Sequence, residues 1–129
     1  MADLEQARRI VELMVLTAWA DGRVEGVEAL AIHKLTLAFP QLRDVGPTGE
    51  ISSVAKERLQ RAGIAAAVRV AAEAITDAKY REITFQCCAK VSGADGIFMQ
   101  EENAVLTELQ KVFGYDNEDV KRLLVLATR

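Results

Sequence analysis

Aromatic side chains make up only 5% of this 129-residue chain: four Phe, two Tyr and one Trp. A core must therefore be filled by Ala, Leu, Val and Ile, and small aliphatic side chains suit closely packed helices. Histidine is scarcer still. His33 stands alone, which excludes a His-rich zinc site and leaves a Ser-His-Asp triad with no serine marked out to complete it. The two cysteines, Cys87 and Cys88, are too few for a disulfide framework. Adjacent residues of a helix point in different directions, so the pair is expected in the core of a protein in a reducing cytoplasm, against the alternative of a redox or soft-metal pair. No Walker-type phosphate loop and no dinucleotide fingerprint occurs.

Positive charge is not in excess either; the formal net charge is -3. Binding to duplex DNA normally shows as a basic stripe. The nearest candidate, Lys56, Arg58, Arg61 and Arg69, is diluted by Glu50 and Glu57 and reads as a solvated helix face, so no nucleic-acid partner is expected. Long apolar runs are missing as well. Val11 to Ala20 is interrupted by Glu12 and Thr17 and is too short to span a bilayer. The charged opening, Met1 to Arg9, lacks the apolar block and cleavage site of a signal peptide. Neither membrane insertion nor export is expected.

What remains is half hydrophobic and 27% charged, a globular balance in a length that fits one domain over residues 1–129. Leu4, Ala7, Val11, Met14, Val15 and Ala18 recur at helical spacing, and residues 10–20 are apolar nearly all round, which predicts a central helix ending at Asp21-Gly22. A second helix is expected from about Glu25 to Phe39, with Glu28, Ile32, Leu35 and Phe39 on one stripe and Pro40 as its stop. Gln41 to Gly49 reads as a loop. A third helix, Glu50 to Ala62, should turn Ile51, Val54, Ala55, Leu59 and Ala62 inward, and Gly63 breaks it. Then follow an Ala-rich helix over Ile64 to Thr76, a helix over Ala78 to Ser92 capped by Asp77, a helix over Glu101 to Phe113 closed by Gly114, and a last helix over Asn117 to Ala127 capped by Asp116 or Asn117. Tyr80, Ile83, Thr84, Cys87, Cys88 and Val91 should face inward on the fifth helix, and Val120, Leu123, Leu124 and Ala127 on the seventh. No segment alternates as a strand does. The expected fold is all-α, about seven helices in a single compact bundle.

The chain also repeats itself. Ala20-Asp21-Gly22 returns as Ala94-Asp95-Gly96. In the same register Glu28 meets Glu102, Ile32 meets Leu106, Leu35 meets Leu109 and Phe39 meets Phe113. Approximately 4–40 and 78–114 are thus two copies of a helix–Asp-Gly–helix unit, expected to be related by pseudo-two-fold symmetry. At these residues the chain resembles the TerB-like family, named for a tellurite-resistance protein. The resemblance rests on two Ala-Asp-Gly turns, each followed by a Glu seven residues after its Asp, then by a Leu and a closing Phe, and it covers essentially the whole chain. It implies an all-α, cytoplasmic, bacterial stress-response domain without a catalytic activity, found in tellurite and other stress-response operons and beside co-chaperone modules. The helix-start position four residues after each Asp departs from the short polar residue expected there: it holds Glu25 in the first copy and Met99 in the second.

The constellation admits two chemistries. In the structural one, Asp21 and Asp95 satisfy loop donors, Gly22 and Gly96 turn the chain, and Glu28 and Glu102 sit in first helical turns, where the macrodipole favours a carboxylate. In the other, the four carboxylates share one divalent cation. The Asp-Gly…Glu spacing copies the second half of a calcium-binding EF-hand loop, but the earlier ligand positions hold Thr17, Trp19, Val91 and Gly93, so one loop alone offers too few oxygens. The expected function is therefore non-enzymatic: a domain that binds a protein partner, with self-association left open, through the acidic turns. The alternative is a metal-binding or metal-sensing domain that uses Asp21, Glu28, Asp95 and Glu102, with a divalent cation as its only cofactor.

Overall fold

Two inner helices, one at the start of the chain and one in its second half, organise the molecule. The computed structural model describes residues 2–19, 26–46, 49–92 and 100–127, and the side chains of 4–19, 30–46, 49–92 and 104–127 within them. Among these residues there are seven α-helices and no strand: α1 (Ala2–Trp19), α2 (Gly26–Ala38), α3 (Gly49–Ala62), α4 (Ile64–Glu73), α5 (Ala78–Ser92), α6 (Gln100–Phe113) and α7 (Asn117–Ala127). A short 3-10 turn, Pro40–Leu42, joins α2 to α3.

The helix expected at the centre is there. Every residue of α1 from Ile10 to Ala18 is buried, because α1 packs against α5, α3, α4, α2 and the 3-10 turn together. Its one hydroxyl, on Thr17, donates back to the Leu13 carbonyl at 2.8 Å, so it is buried without an unmet hydrogen bond. The second inner helix is α5, against which α1, α2, α6 and α7 pack. It buries Ile83, Thr84, Cys87, Cys88 and Val91 as expected, and also Phe85, the largest fully buried side chain, which the periodicity did not single out. Phe85 meets Tyr115 edge to face at 5.9 Å between ring centroids, and Tyr115 meets Phe113 likewise, so three aromatics cluster where α5 packs on the link between α6 and α7. The Ala-rich α4 buries Ala67, Val68, Ala71 and Ala72 between α1 and α6.

Local signals explain most helix ends. The Asp77 side chain accepts the backbone N–H groups of Lys79 and Tyr80 at 2.9 and 3.1 Å, capping α5. The Gln6 side chain of α1 accepts the N–H groups of Thr76 and Asp77, both at 3.0 Å, and so ties that cap to the central helix. Asp116 and Asp119 exchange backbone-to-side-chain bonds of 3.1 and 2.8 Å, a reciprocal cap that starts α7. Gly114 closes α6 with φ at 71°, and the Tyr115 N–H reaches back to the Gln110 carbonyl at 3.1 Å. A Cβ on Gly114 would meet nothing within 4 Å, so only the backbone conformation opposes substitution. Gly114→Ala is expected to cost about 1 kcal/mol in urea unfolding through that conformation alone; an unchanged midpoint would show that the turn relaxes.

Three expectations need correction. The segment 41–49, expected as a loop, also contributes to the core: Leu42 and Val45 are both buried, because Pro40 starts a 3-10 turn that brings the chain back onto α1. On α3 only Ala55 is fully buried; Val54 is 43% exposed and Ala62 is exposed, because the helix packs on α1 and α4 along a narrower stripe than its apolar residues suggested. Finally, α4 ends at Glu73, and Ala74 and Ile75 follow as a turn rather than as helix.

Candidate functional site

The four carboxylates singled out by the repeat all lie outside the side chains that the structure describes. Asp21 and Asp95 lie outside the described residues, and so do the side chains of Glu28 and Glu102, whose backbones fall in the first turns of α2 and α6. The Asp-Gly turns, with Glu25 and Met99, lie outside them too. Among the described residues, no group of three or more His, Cys, Asp or Glu side chains is placed to hold a metal ion.

What the described residues do assemble is a groove of about 470 Å³ between the first half of α1, the segment 44–46 and α3. At its base sits Glu12, the one charged residue in the apolar run of α1, with its side chain only 4% exposed. A carboxylate buried this far requires compensation. It has two guanidiniums: Arg9 Nη1 donates to Glu12 Oε1 at 2.9 Å, and Arg58 Nη1 of α3 donates to Oε2 at 2.7 Å. Arg9 in turn brings its Nε to 3.3 Å from Glu5 Oε1. The geometry there falls short of a hydrogen bond, which leaves Arg9 Nε buried and unsatisfied. The rest of the lining comprises Arg8, Asp44, Val45, Gly46, Glu50, Ile51 and Val54.

This corrects the reading of the basic residues on α3 and α4 in one place. Lys56, Arg61 and Arg69 are exposed, as a solvated face should be, and Arg61 pairs with Glu57 and Arg69 with Glu108 of α6. Arg58 instead turns inward and locks α3 to α1. The sequence carried half of this signal, a lone Glu in an apolar helix with an Arg three residues before it; the partner 46 residues away is not legible in it. Lys56 lies over the Trp19 ring, 5.1 Å from its centroid, so the end of α1 is also held by α3.

The nucleophiles are poorly placed for chemistry. Cys87 and Cys88 are free and buried. Burial pushes the Cys88 thiol up to about 12, only partly offset by its hydrogen bond with the Thr17 hydroxyl. Burial, reinforced by its neighbour Cys88, pushes Cys87 higher still against the opposing charge of Lys90. Both therefore stay protonated near neutrality, and a protonated thiol is neither a good nucleophile nor a good metal ligand. His33 is exposed on α2.

Helix α2 itself is unusual. Ile32, Leu35 and Thr36 are buried against α1, α5 and the 3-10 turn, while Leu30 and Leu37, on the opposite side, are 52% and 58% exposed. Apolar residues thus occupy both faces of a helix that has only one face in the core. No helix among the described residues is long and apolar enough to cross a membrane.

Neither the curated proteins nor the solved structures contain a match to this chain. The family model described as tellurite resistance protein TerB matches residues 13–125. That span runs from the buried half of α1 to the end of α7, most of the chain, and the chain belongs to the TerB family.

Proposed function

We propose that this chain is a non-catalytic, tellurite-resistance-type binding domain that docks a partner protein on the outer face of α2. The observation that carries this reading is the exposure of Leu30 and Leu37 on a helix whose opposite face is already packed. Each leaves apolar surface in water that a partner could cover, at roughly 25 cal/mol per Å². His33 and Lys34 lie beside the two leucines on the same exposed side, so the face mixes an apolar stripe with an imidazole and an ammonium. The suppressed thiols favour binding over catalysis.

The test is a comparison of the wild-type chain with Leu30→Gln/Leu37→Gln, each used as bait in cells of the source organism, with bound proteins quantified. The double variant should keep the helical circular dichroism of the wild type and lose a defined partner. An identical partner set for both proteins would defeat the α2 reading. The alternative, a divalent cation held by Asp21, Glu28, Asp95 and Glu102, is supported by the spacing of the repeat. A ligand that binds only the folded state raises the melting temperature. Trp19, the single tryptophan, stands two residues before Asp21 and would report the same event by fluorescence. A shift with a divalent cation that disappears in Asp21→Ala/Asp95→Ala favours the ion site; no response to magnesium, calcium, manganese or zinc would remove it.

A further inference from the structure

The groove between α1 and α3 is lined by charges of both signs. α1 contributes Arg8 and the Arg9–Glu12 pair, with Glu5 beside Arg9; α3 contributes Glu50 and Arg58, whose guanidinium reaches Glu12; Asp44 comes from the segment before α3. Arg8, Asp44 and Glu50 are exposed, and none of them is paired with a described residue. Ile51 and the 43%-exposed Val54 make the lining partly apolar.

The guanidiniums are held in advance of any ligand. Glu12 uses one N–H group from Arg58 and one from Arg9, whereas each guanidinium carries five donors in a fixed fork. Because Glu12 is buried and bonded to both, Arg58 is oriented on the groove without loss of rotamer freedom at the moment of binding. A simple anion would find those donors but face Asp44 and Glu50. A simple cation would find the two carboxylates but face Arg8 and Arg58. Only a ligand with both charges, joined by an apolar part, can match the carboxylates, the guanidiniums and the apolar lining together. A volume near 470 Å³ falls in the range of small-molecule sites.

We propose that this groove binds a zwitterion of amino-acid or short-peptide size, with its carboxylate on Arg8 and Arg58 and its ammonium on Asp44 and Glu50. Its apolar side chain lies on Ile51 and Val54. The same chemistry is presented by a free amino acid and by a short peptide with free ends, and the two differ in the distance between their charges.

The experiment is a titration of the full chain, labelled with nitrogen-15, with four probes: leucine, leucyl-leucine, leucinamide, which lacks the carboxylate, and N-acetyl-leucine, which lacks the ammonium. Leucine or leucyl-leucine should move the backbone signals of Val45, Ile51 and Val54 in a saturable way, and each single-charge analogue should bind about tenfold more weakly. A tighter dipeptide identifies peptide ends as the source; a tighter leucine identifies the free amino acid. Arg8→Gln and Asp44→Asn/Glu50→Gln change exposed side chains outside the Glu12 ion pairs, so the fold should persist, and each should weaken binding about tenfold. Equal binding of leucine and N-acetyl-leucine would overturn the proposal in favour of an anion site, and equal binding of leucine and leucinamide in favour of a cation site. Silence from all four probes at about 10 mM, where even a millimolar site would fill, would also overturn it.

Discussion

Arg58→Ala is expected to destabilise the fold by roughly 2–4 kcal/mol, one of the two largest effects anticipated for this chain. Breaking a buried ion pair by removing one partner costs about 3–5 kcal/mol, because the remaining charge is left in a poorly hydrated place. The range is lowered here for two reasons. Arg9 still holds one oxygen of Glu12, and the Arg58 side chain is itself 31% exposed, so water can reach part of the vacated space. The informative comparison is Glu12→Leu, which removes the buried charge and keeps a similar volume on α1. Both guanidiniums have solvent access, so they can be hydrated when the carboxylate goes, and this variant should stay within about 1 kcal/mol of the wild type. Urea unfolding at an unchanged slope measures both. If Arg58→Ala lies within about 0.5 kcal/mol of the wild type, Glu12 is being served by water and the α1–α3 clamp has little energetic weight.

That clamp marks the boundary of what the sequence revealed. Helix α1 was legible because ten neighbouring residues, from Ile10 to Trp19, are apolar except for Glu12 and Thr17, and only a position surrounded by other helices satisfies such a pattern. The ends of α5 and α7 were legible because Asp77 and Asp116 are side chains that cap by local hydrogen bonds, and local chemistry is written in local sequence. Val54 and Ala62 were misjudged because periodicity identifies an apolar face but not how much of it a neighbour covers. Arg58 was misjudged for the same reason: a cation on a helix looks solvated until a distant carboxylate is known to lie beneath it. The repeat was legible as a pattern in Asp21, Glu28, Asp95 and Glu102, and the family model matches residues 13–125, a span that includes them. Convergence of those carboxylates in three dimensions is a property that spacing along a chain does not encode.

Alkaline unfolding should be steep, and its cause should be the pair of buried thiols. The reference value for a cysteine is 9.0, and burial raises Cys88 to about 12 and Cys87 further. A raised value means that the folded state keeps its protons where the unfolded state has lost them. The corresponding stability is fully present below about pH 9 and is lost as pH climbs towards and through the folded values. Each thiol contributes a slope of about 1.4 kcal/mol per pH unit in that window, so two units of pH across two thiols approach roughly 5 kcal/mol, comparable with the whole stability of a small domain. Tyr115 adds in the same direction: burial first, and Glu82 after it, raise its phenol from 10.0 to about 12. Circular dichroism followed from pH 8 to 12 in the presence of a reductant should therefore show cooperative unfolding centred at about pH 10–11. Cys87→Ala/Cys88→Ala should start less stable at pH 8, because it leaves small cavities on α5, yet show a much shallower dependence above pH 9. An unchanged slope in the double variant would assign alkaline unfolding to other groups. Thiol-reactive reagents provide an independent check at neutral pH: both cysteines should react at the rate of protein opening, and at full speed only once urea has exposed α5.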